Sequence, residues 1–202
     1  MENLPLINKL NEIIGNDDLE GNCMYKHKSN FELRKGDDIE KLRRNLVKLG
    51  EINNSILEVG FNGGHSCALF ASNNPDIEFL LFDIGRWDYT QRCIDYFKTC
   101  YKVDYVKGDS NKTLPKYNAT KTYDLIHIDG GHGVKTAEND IRHCKKFAGE
   151  ETLLLVDDAN FKRLRELLDK MVEDDLLEEI EMESLDLQPN RYHRIFTYIL
   201  KK

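Results

Sequence analysis

The chain has 202 residues, 40% of them hydrophobic, and a formal charge of -7 from 29 basic and 36 acidic side chains. That length buries one sizeable core, so one domain with an N-terminal helical appendage is expected rather than two full domains. The acidic balance offers no basic field for a nucleic-acid backbone or an anionic membrane surface, which leaves a small uncharged or amphipathic molecule as the expected partner.

The five cysteines, Cys23, Cys67, Cys93, Cys100 and Cys144, are scattered without C-x-x-C spacing, which suits buried free thiols in a reducing compartment. Residues 1–15 interleave Glu2, Lys9 and Glu12 with apolar side chains, unlike a signal peptide, and no apolar run approaches the roughly 18 residues that span a bilayer. A cytoplasmic protein that does not enter a membrane is expected.

In chain order, the first predicted element is a helix over residues 5–14. The second covers 39–49, with Asp37 placed to cap it and Glu40 three residues later completing a capping-box pattern. Between them, residues 15–36 mix Asn, Asp, Lys and Gly with Tyr25 and Phe31 and read as a long surface connection. Residues 1–50 are thus expected to form an N-terminal helical segment, a substrate lid or dimer contact, ahead of a main domain over 51–202; a homo-oligomer stays open.

From Ser55 onward, short apolar strands alternate with helical stretches. Five strands are predicted, at 56–60, 77–83, 103–109, 123–129 and 152–158, each ending on Gly or Asp. Helices suit 65–72, 88–101, 111–116 and 133–146. A repeated β-α-β pattern implies a parallel sheet covered on both faces, with right-handed crossovers. A charged helix to about Asp174 follows, then two β-like stretches, LEEIEMESL and RIFTYIL, joined through Gln188-Pro189-Asn190 as a turn between antiparallel strands. The acidic run 173–186 reads as a solvated helix end and edge strand.

Ligands of an open parallel sheet bind beyond the carboxyl ends of its strands, where strand order reverses. Glu58-Val59-Gly60-Phe61-Asn62-Gly63-Gly64 lies at such an end and opens a helix. A dinucleotide pyrophosphate wants G-x-G-x-x-G and no nearby carboxylate, and this loop lacks that spacing. S-adenosylmethionine carries a sulfonium, an ammonium and no phosphate, so Glu58 favours it. Asp83 closes the second strand roughly 20 residues after the glycines, where a carboxylate can accept from both ribose hydroxyls. Asp109-Ser110 closes the third, within reach of an adenine amino group, and Trp87 is a candidate for packing on the base.

With LEVGFNGGHS, FLLFDIG, GDS, YDLIHIDGGH and LLLVDD in this order, residues 55–160 resemble a class I S-adenosylmethionine-dependent methyltransferase of the methyltransferase domain 24 type, similar to the macrocin-type metal-dependent O-methyltransferases. The resemblance implies an α/β, Rossmann-like, doubly wound, mostly parallel seven-stranded sheet with an antiparallel C-terminal hairpin strand and helices on both faces. It places the donor on Glu58, Gly60, Phe61, Asn62, Gly63, His65, Ser66, Asp83, Asp109, Ser110 and Asp129. Asn62 departs from the middle glycine of E-x-G-x-G-x-G, a position Asn can hold because it tolerates positive φ.

Methyl transfer to a hydroxyl requires alignment of donor and acceptor and removal of a proton. Asp129 ends the fourth strand, and Asp157 and Asp158 end the fifth. If both strands flank the first, these carboxylates converge and would hold Mg²⁺ or another hard divalent cation, which lowers the acceptor's pKa. The other reading is that Asp157 and Asp158 cap the following helix and Asp129 sets the Gly-Gly turn. His132, three residues after Asp129, is the candidate general base, whereas His127 lies within a strand and reads as core. The favoured function is an O-methyltransferase for a small molecule such as a sugar or glycosylated metabolite. A nicotinamide-dependent oxidoreductase, a catalytically inactive binding module and a nucleic-acid methyltransferase are the alternatives, the last disfavoured by the charge balance and by the lack of an N-P-P-Y-type base pocket.

Overall fold

Apolar runs ended by Gly or Asp form the strands, and the amphipathic stretches between them form the helices, in a computed structural model that describes residues 5–26, 31–131, 133–186 and 192–200. Strands β1 (Ser55–Val59), β2 (Glu78–Asp83), β3 (Lys102–Lys107), β4 (Leu125–Ile128) and β5 (Leu153–Val156) are mutually parallel. Helices α1 (Pro5–Ile14) and α2 (Asp37–Ile52) precede them, and α3 (His65–Phe70), α4 (Asp88–Cys100), α5 (Ser110–Lys116) and α6 (Val134–Cys144) connect them. After α7 (Lys162–Glu173) come β6 (Leu177–Glu179) and β7 (Arg194–Tyr198), and β7 runs antiparallel to both β5 and β6. The seven strands lie in the order β3-β2-β1-β4-β5-β7-β6. This is the doubly wound, mostly parallel sheet that the alternating pattern predicts.

Three local expectations are corrected. Asp37 does not cap α2: Gly36, at φ 139°, lets the helix begin two residues earlier than predicted, and Asp37 instead pairs with Lys41 one turn on at 2.6 Å. The stretch LEEIEMESL is a strand only over its first three residues, because pairing with β7 stops after Ile180 and a Met182–Leu185 turn closes the segment. Part of the acidic run is held internally, with Asp186 2.8 Å from Arg44 and Glu179 2.5 Å from Arg194. The Gln188-Pro189-Asn190 turn lies outside the described residues.

Side chains of β1 alternate between two apolar layers. Ile56 joins the layer under α1 to α4, and Leu57 and Val59 join the layer under α5 to α7. The third correction concerns residues 15–36. Leu19, Cys23, Met24 and Tyr25 are buried in the same layer as α1 and α2, so residues 19–25 are seated on the domain rather than running over its surface. Irregular spacing of those four side chains among polar ones conceals this from a periodicity reading. Arg92 of α4 fastens the segment, at 2.6 Å from Asp17 and 3.2 Å from the Ile13 carbonyl. The boundary expected at residue 50 falls inside α2. Among the described residues no helix is long and apolar enough to cross a membrane, and of the free thiols only Cys100 is exposed.

Gly50 is where α2 meets the end of α3: a Cβ there would run into the backbone of Phe70. Gly50→Ala is therefore expected to destabilise the fold by about 1–3 kcal/mol, the usual cost of overpacking, read as a lower denaturant midpoint with an unchanged slope. An unchanged midpoint would mean the two helices are not in close contact.

Candidate active site at the reversal of strand order

Strand order reverses between β1 and β4, which are paired neighbours. Backbone hydrogen bonds continue one residue past the strands and line up their ends. Gly108 donates to the Asp83 carbonyl at 2.8 Å, Gly60 to Phe82 at 2.8 Å, Asp129 to Val59 at 2.9 Å and Asp157 to Ile128 at 3.0 Å. A cavity of about 1000 Å³ opens over this row. It lies at the upper end of the roughly 300–1,000 Å³ found for small-molecule sites, so it has room for a nucleoside-sized cofactor and a second molecule.

The turn after β1 is shaped by close approach. Gly60 has φ 103°, and a Cβ there would collide with the Asp129 carbonyl. Asn62 has φ 52°, the left-handed conformation that Asn tolerates. Its backbone N–H donates to Asp83 Oδ2 at 2.8 Å, while Gly85 N–H donates to Oδ1 at 2.6 Å, so Asp83 is fixed at the cavity edge. The Asn62 side chain does more than replace a glycine. Nδ2 donates to the carbonyls of Glu20 and Gly21, and Tyr89 Oη donates to Oδ1 at 2.5 Å. Asn62 thereby ties the cofactor turn to the N-terminal segment.

Glu58 sits behind the turn, not in the cavity. Pleating points it into the α3 layer, where it is fully buried, and its neighbour across the β1–β4 ladder is His127. Its carboxylate accepts from Ser66 Oγ at 2.6 Å and Cys67 Sγ at 2.6 Å, and lies 2.7 Å from His127 Nδ1. The direct contact with a donor cation expected of Glu58 is therefore replaced by a positioning role: it pins the start of α3 to β4. His127 is buried as expected, but as the partner of this carboxylate.

The remaining turn residues, Phe61, Gly63, His65 and Ser66, all border the cavity. The Phe61 ring itself is in the core, edge-on to Phe97 at 5.6 Å. His65 is buried, 3.0 Å from Asn11 Oδ1 through Nε2, and burial lowers its pKa to about 4, so it is neutral near pH 7. Asp109 lines the cavity and also caps α5, accepting from Asn111 N–H at 3.1 Å, and these bonds to Asn111 hold its carboxyl below the usual range. Ser110 borders the cavity beside it. Trp87 lines the wall, stacked on Tyr89 with 6.3 Å between centroids.

Asp129, after β4, and Asp157 and Asp158, after β5, border the cavity beside the Gly60 turn. Burial first, then repulsion from Asp157, Glu58 and Asp158, raises the Asp129 pKa well above the carboxylate range. Burial and Asp158 push Asp157 up to about 6, and one of its oxygens, Oδ1, is buried with no hydrogen-bond partner among the described residues. Asp158 has φ 56°, and neither it nor Asp157 caps α7, whose first turn follows Phe161. Among the described residues, the acid and histidine ligand atoms that all lie within 4.8 Å of one another belong to Glu58, His127 and Asp129, not to the three aspartates together. Both Glu58 oxygens already hold donors, so hydrogen bonding accounts for that closer group. His132, the candidate base, lies outside the described residues. Sequence reading passed over Arg34, Cys23, Phe161 and Tyr192, which complete the cavity wall. The lid expected of residues 1–50 pointed to the N-terminal side of the cavity without naming these side chains.

Two outcomes follow from this geometry. Asn62→Gly should keep the turn, since glycine adopts the same φ, but release the roof, so proteolytic cleavage between residues 19 and 25 should accelerate several-fold. An unchanged cleavage rate would show that the tether holds nothing. The acid pair predicts a pH effect: the Asp157 value in the folded chain lies above its ordinary 3.8, so its contribution to stability is fully present below about pH 4 and lost as pH rises through about 6. With chelator present, the wild-type melting midpoint should fall over that interval more steeply than that of Asp157→Asn. Parallel curves would mean that the pair is not strained.

Comparison with curated protein sequences finds no match. A family model described as a methyltransferase domain matches residues 57–159, just over half of the 202-residue chain. Among solved structures, Rv0187 from MTB, with its cofactor bound, is 16% identical and superposes with a TM-score of 0.67, covering 98% of this chain and 91% of that one. The O-methyltransferase TomG from Streptomyces achromogenes, in complex with SAM, is 15% identical with a TM-score of 0.58, covering 83% and 82%. The N-methyltransferase NodS from Bradyrhizobium japonicum WM9, in complex with S-adenosylhomocysteine, is 14% identical with a TM-score of 0.56, covering 96% and 98%. At such identities the likeness is one of fold, and the family model, matching from β1 through the end of β5, carries the assignment: the chain belongs to the methyltransferase-domain family of class I S-adenosylmethionine-dependent methyltransferases.

Proposed function

We propose that the protein is an O-methyltransferase that methylates a small hydroxylated molecule, a sugar or glycosylated metabolite, with the help of a divalent cation. The observation that supports this most is the row of groups along the strand ends that line the cavity, with Asp109 and Asp83 after β3 and β2, the Gly60 turn in the middle, and Asp129, Asp157 and Asp158 after β4 and β5. When bound, S-adenosylmethionine supplies an electrophilic methyl group on its sulfonium. In this reading Asp83 accepts from the ribose hydroxyls, Asp109 and Ser110 meet the adenine, and the Gly60–Gly63 backbone lies along the amino-acid part. The N-terminal segment roofs the site through its described residues Glu20 to Cys23 and Arg34.

The three aspartates fit a hard cation by their chemistry. They are oxygen donors of the kind Mg²⁺ takes, they repel one another, and the buried Oδ1 of Asp157 has no partner among the described residues. A cation there would draw them closer than they stand and would favour the ionised acceptor oxygen. His132 is placed by the sequence to take the acceptor's proton. Exposed Phe161 and half-buried Tyr192, on the same wall, offer aromatic faces against which a sugar ring or an apolar aglycone can rest.

Calorimetry and methyl-transfer assays test both parts. S-adenosylhomocysteine should bind the wild type, and Asp83→Ala should weaken it about 10-fold or more. Mg²⁺ should bind the loaded protein and fail to bind Asp129→Asn or Asp158→Asn, and transfer of labelled methyl to hydroxylated sugars should stop with chelator or with His132→Ala. Absence of donor-product binding would sink the whole reading. Transfer that survives both chelator and Asp129→Asn would remove the cation from it.

A further inference from the structure

We propose that Arg34, carried into the cavity by the N-terminal segment, is the anchor for the carboxylate of the methyl donor's amino-acid end. The inference rests on the donor site proposed above and adds a residue to it from outside the matched family region, which begins at residue 57.

Six acids border the cavity: Glu20, Asp83, Asp109, Asp129, Asp157 and Asp158. They suit the hydroxyls, the ammonium and the sulfonium of the donor, but its one carboxylate needs a centre of opposite sign. Among the described residues no lysine borders the cavity, and the two guanidinium groups are those of Arg34 and Arg86. Arg86 is exposed, three residues beyond the ribose acid Asp83, and lies over the Trp87 ring at 4.7 Å, so it belongs to the nucleoside end. The polar side chains on the turn itself are committed. Ser66 Oγ donates to Glu58, and buried His65 is neutral and supplies no charge.

Arg34 is half-buried and braced by its backbone. Its N–H donates to the Met24 carbonyl at 2.8 Å, its own carbonyl accepts from Arg43 Nη2, and the adjacent Leu33 bridges to Tyr25. The guanidinium gives one hydrogen bond, from Nη1 to the Asn22 carbonyl at 3.1 Å, and enters no ion pair among the described residues. The rest of its planar fork is available for a two-point grip on a carboxylate, the geometry in which Arg differs from Lys. Its place along the cavity is also suitable. Cys23, next to Asn22, borders the same cavity as Arg34, Asp129 and Asp157. Glu20 and Gly21, lower on the same arch, are tied to Asn62 of the turn. An extended donor with its ribose at Asp83 would bring its amino-acid end beneath Arg34.

The test compares two ligands that share the adenosine and thioether but differ in the amino-acid end. By calorimetry on the full chain, Arg34→Gln should weaken S-adenosylhomocysteine about 10- to 100-fold, the loss expected for a charge-assisted pair. 5′-Methylthioadenosine, which has no carboxylate, should change less than about twofold on the same scale. Arg34→Lys should recover part of the difference by restoring charge without the fork, and an unchanged melting midpoint shows that the arch is intact, held by the Arg34 backbone bonds and by Asn62 when the Nη1 bond to Asn22 is lost. Equal losses for both ligands, or no loss for S-adenosylhomocysteine, would overturn the assignment of Arg34 while leaving the donor site standing. A wild type that binds neither ligand would overturn both.

Discussion

Parallel strands present their carboxyl ends on one edge of the sheet, and the chain reverses direction of winding between β1 and β4. Helices leaving those two strands pass to opposite faces, so nothing fills the space between them at that edge. The backbone ladder then sets Asp83, Gly60, Asp129 and Asp157 side by side at hydrogen-bonding separation. Asp83, Asp109, Ser110, Asp129, Asp157 and Asp158 border the opening that this reversal leaves, and the closeness of Gly60 to the Asp129 carbonyl leaves no room for any other residue at position 60.

The buried pair Glu58 and His127 converts that geometry into a rigid site. A carboxylate with no access to water is costly unless its oxygens are satisfied, and here three donors surround it. Two belong to the first turn of α3 and one to β4, so the pair locks the helix that follows the glycine turn against the strand that delivers Asp129. Asp129 and Asp157 are buried beside other acids, and burial together with that repulsion raises their proton affinity. Satisfied acids serve the scaffold in this protein, and the strained ones face the cavity.

The N-terminal segment enters the same economy of contacts. Leu19, Met24 and Tyr25 bury themselves with α1 and α2, which seats residues 20–24 over the glycine turn, and Asn62 ties the two together. A glycine at 62 would fit the turn equally well but could not make this connection. One structural element is therefore tied to the glycine turn and also carries Arg34 and Cys23 to the cavity that the acids border.

The order of elements, the parallel sheet and the acids at strand ends were legible in the sequence because each rests on local rules. Strands buried on both faces read as apolar runs, their ends need Gly or Asp to turn, and β-α-β repetition permits essentially one handedness. Helix α1 and the five parallel strands accordingly lie within about two residues of expectation. What a side chain touches was decided by the tertiary structure alone. Whether Glu58 faces a ligand or the core depends on the parity of the pleat and on which residue of β4 stands opposite, and pairing with His127 settled it. Whether residues 15–36 cover a surface or a cavity depends on four irregularly spaced apolar side chains finding the layer beneath α1 and α2, which no periodicity announces. The strand ends could be named from the chain; the roof over them, and the Arg34 guanidinium it carries, exist only through contacts between residues distant in sequence.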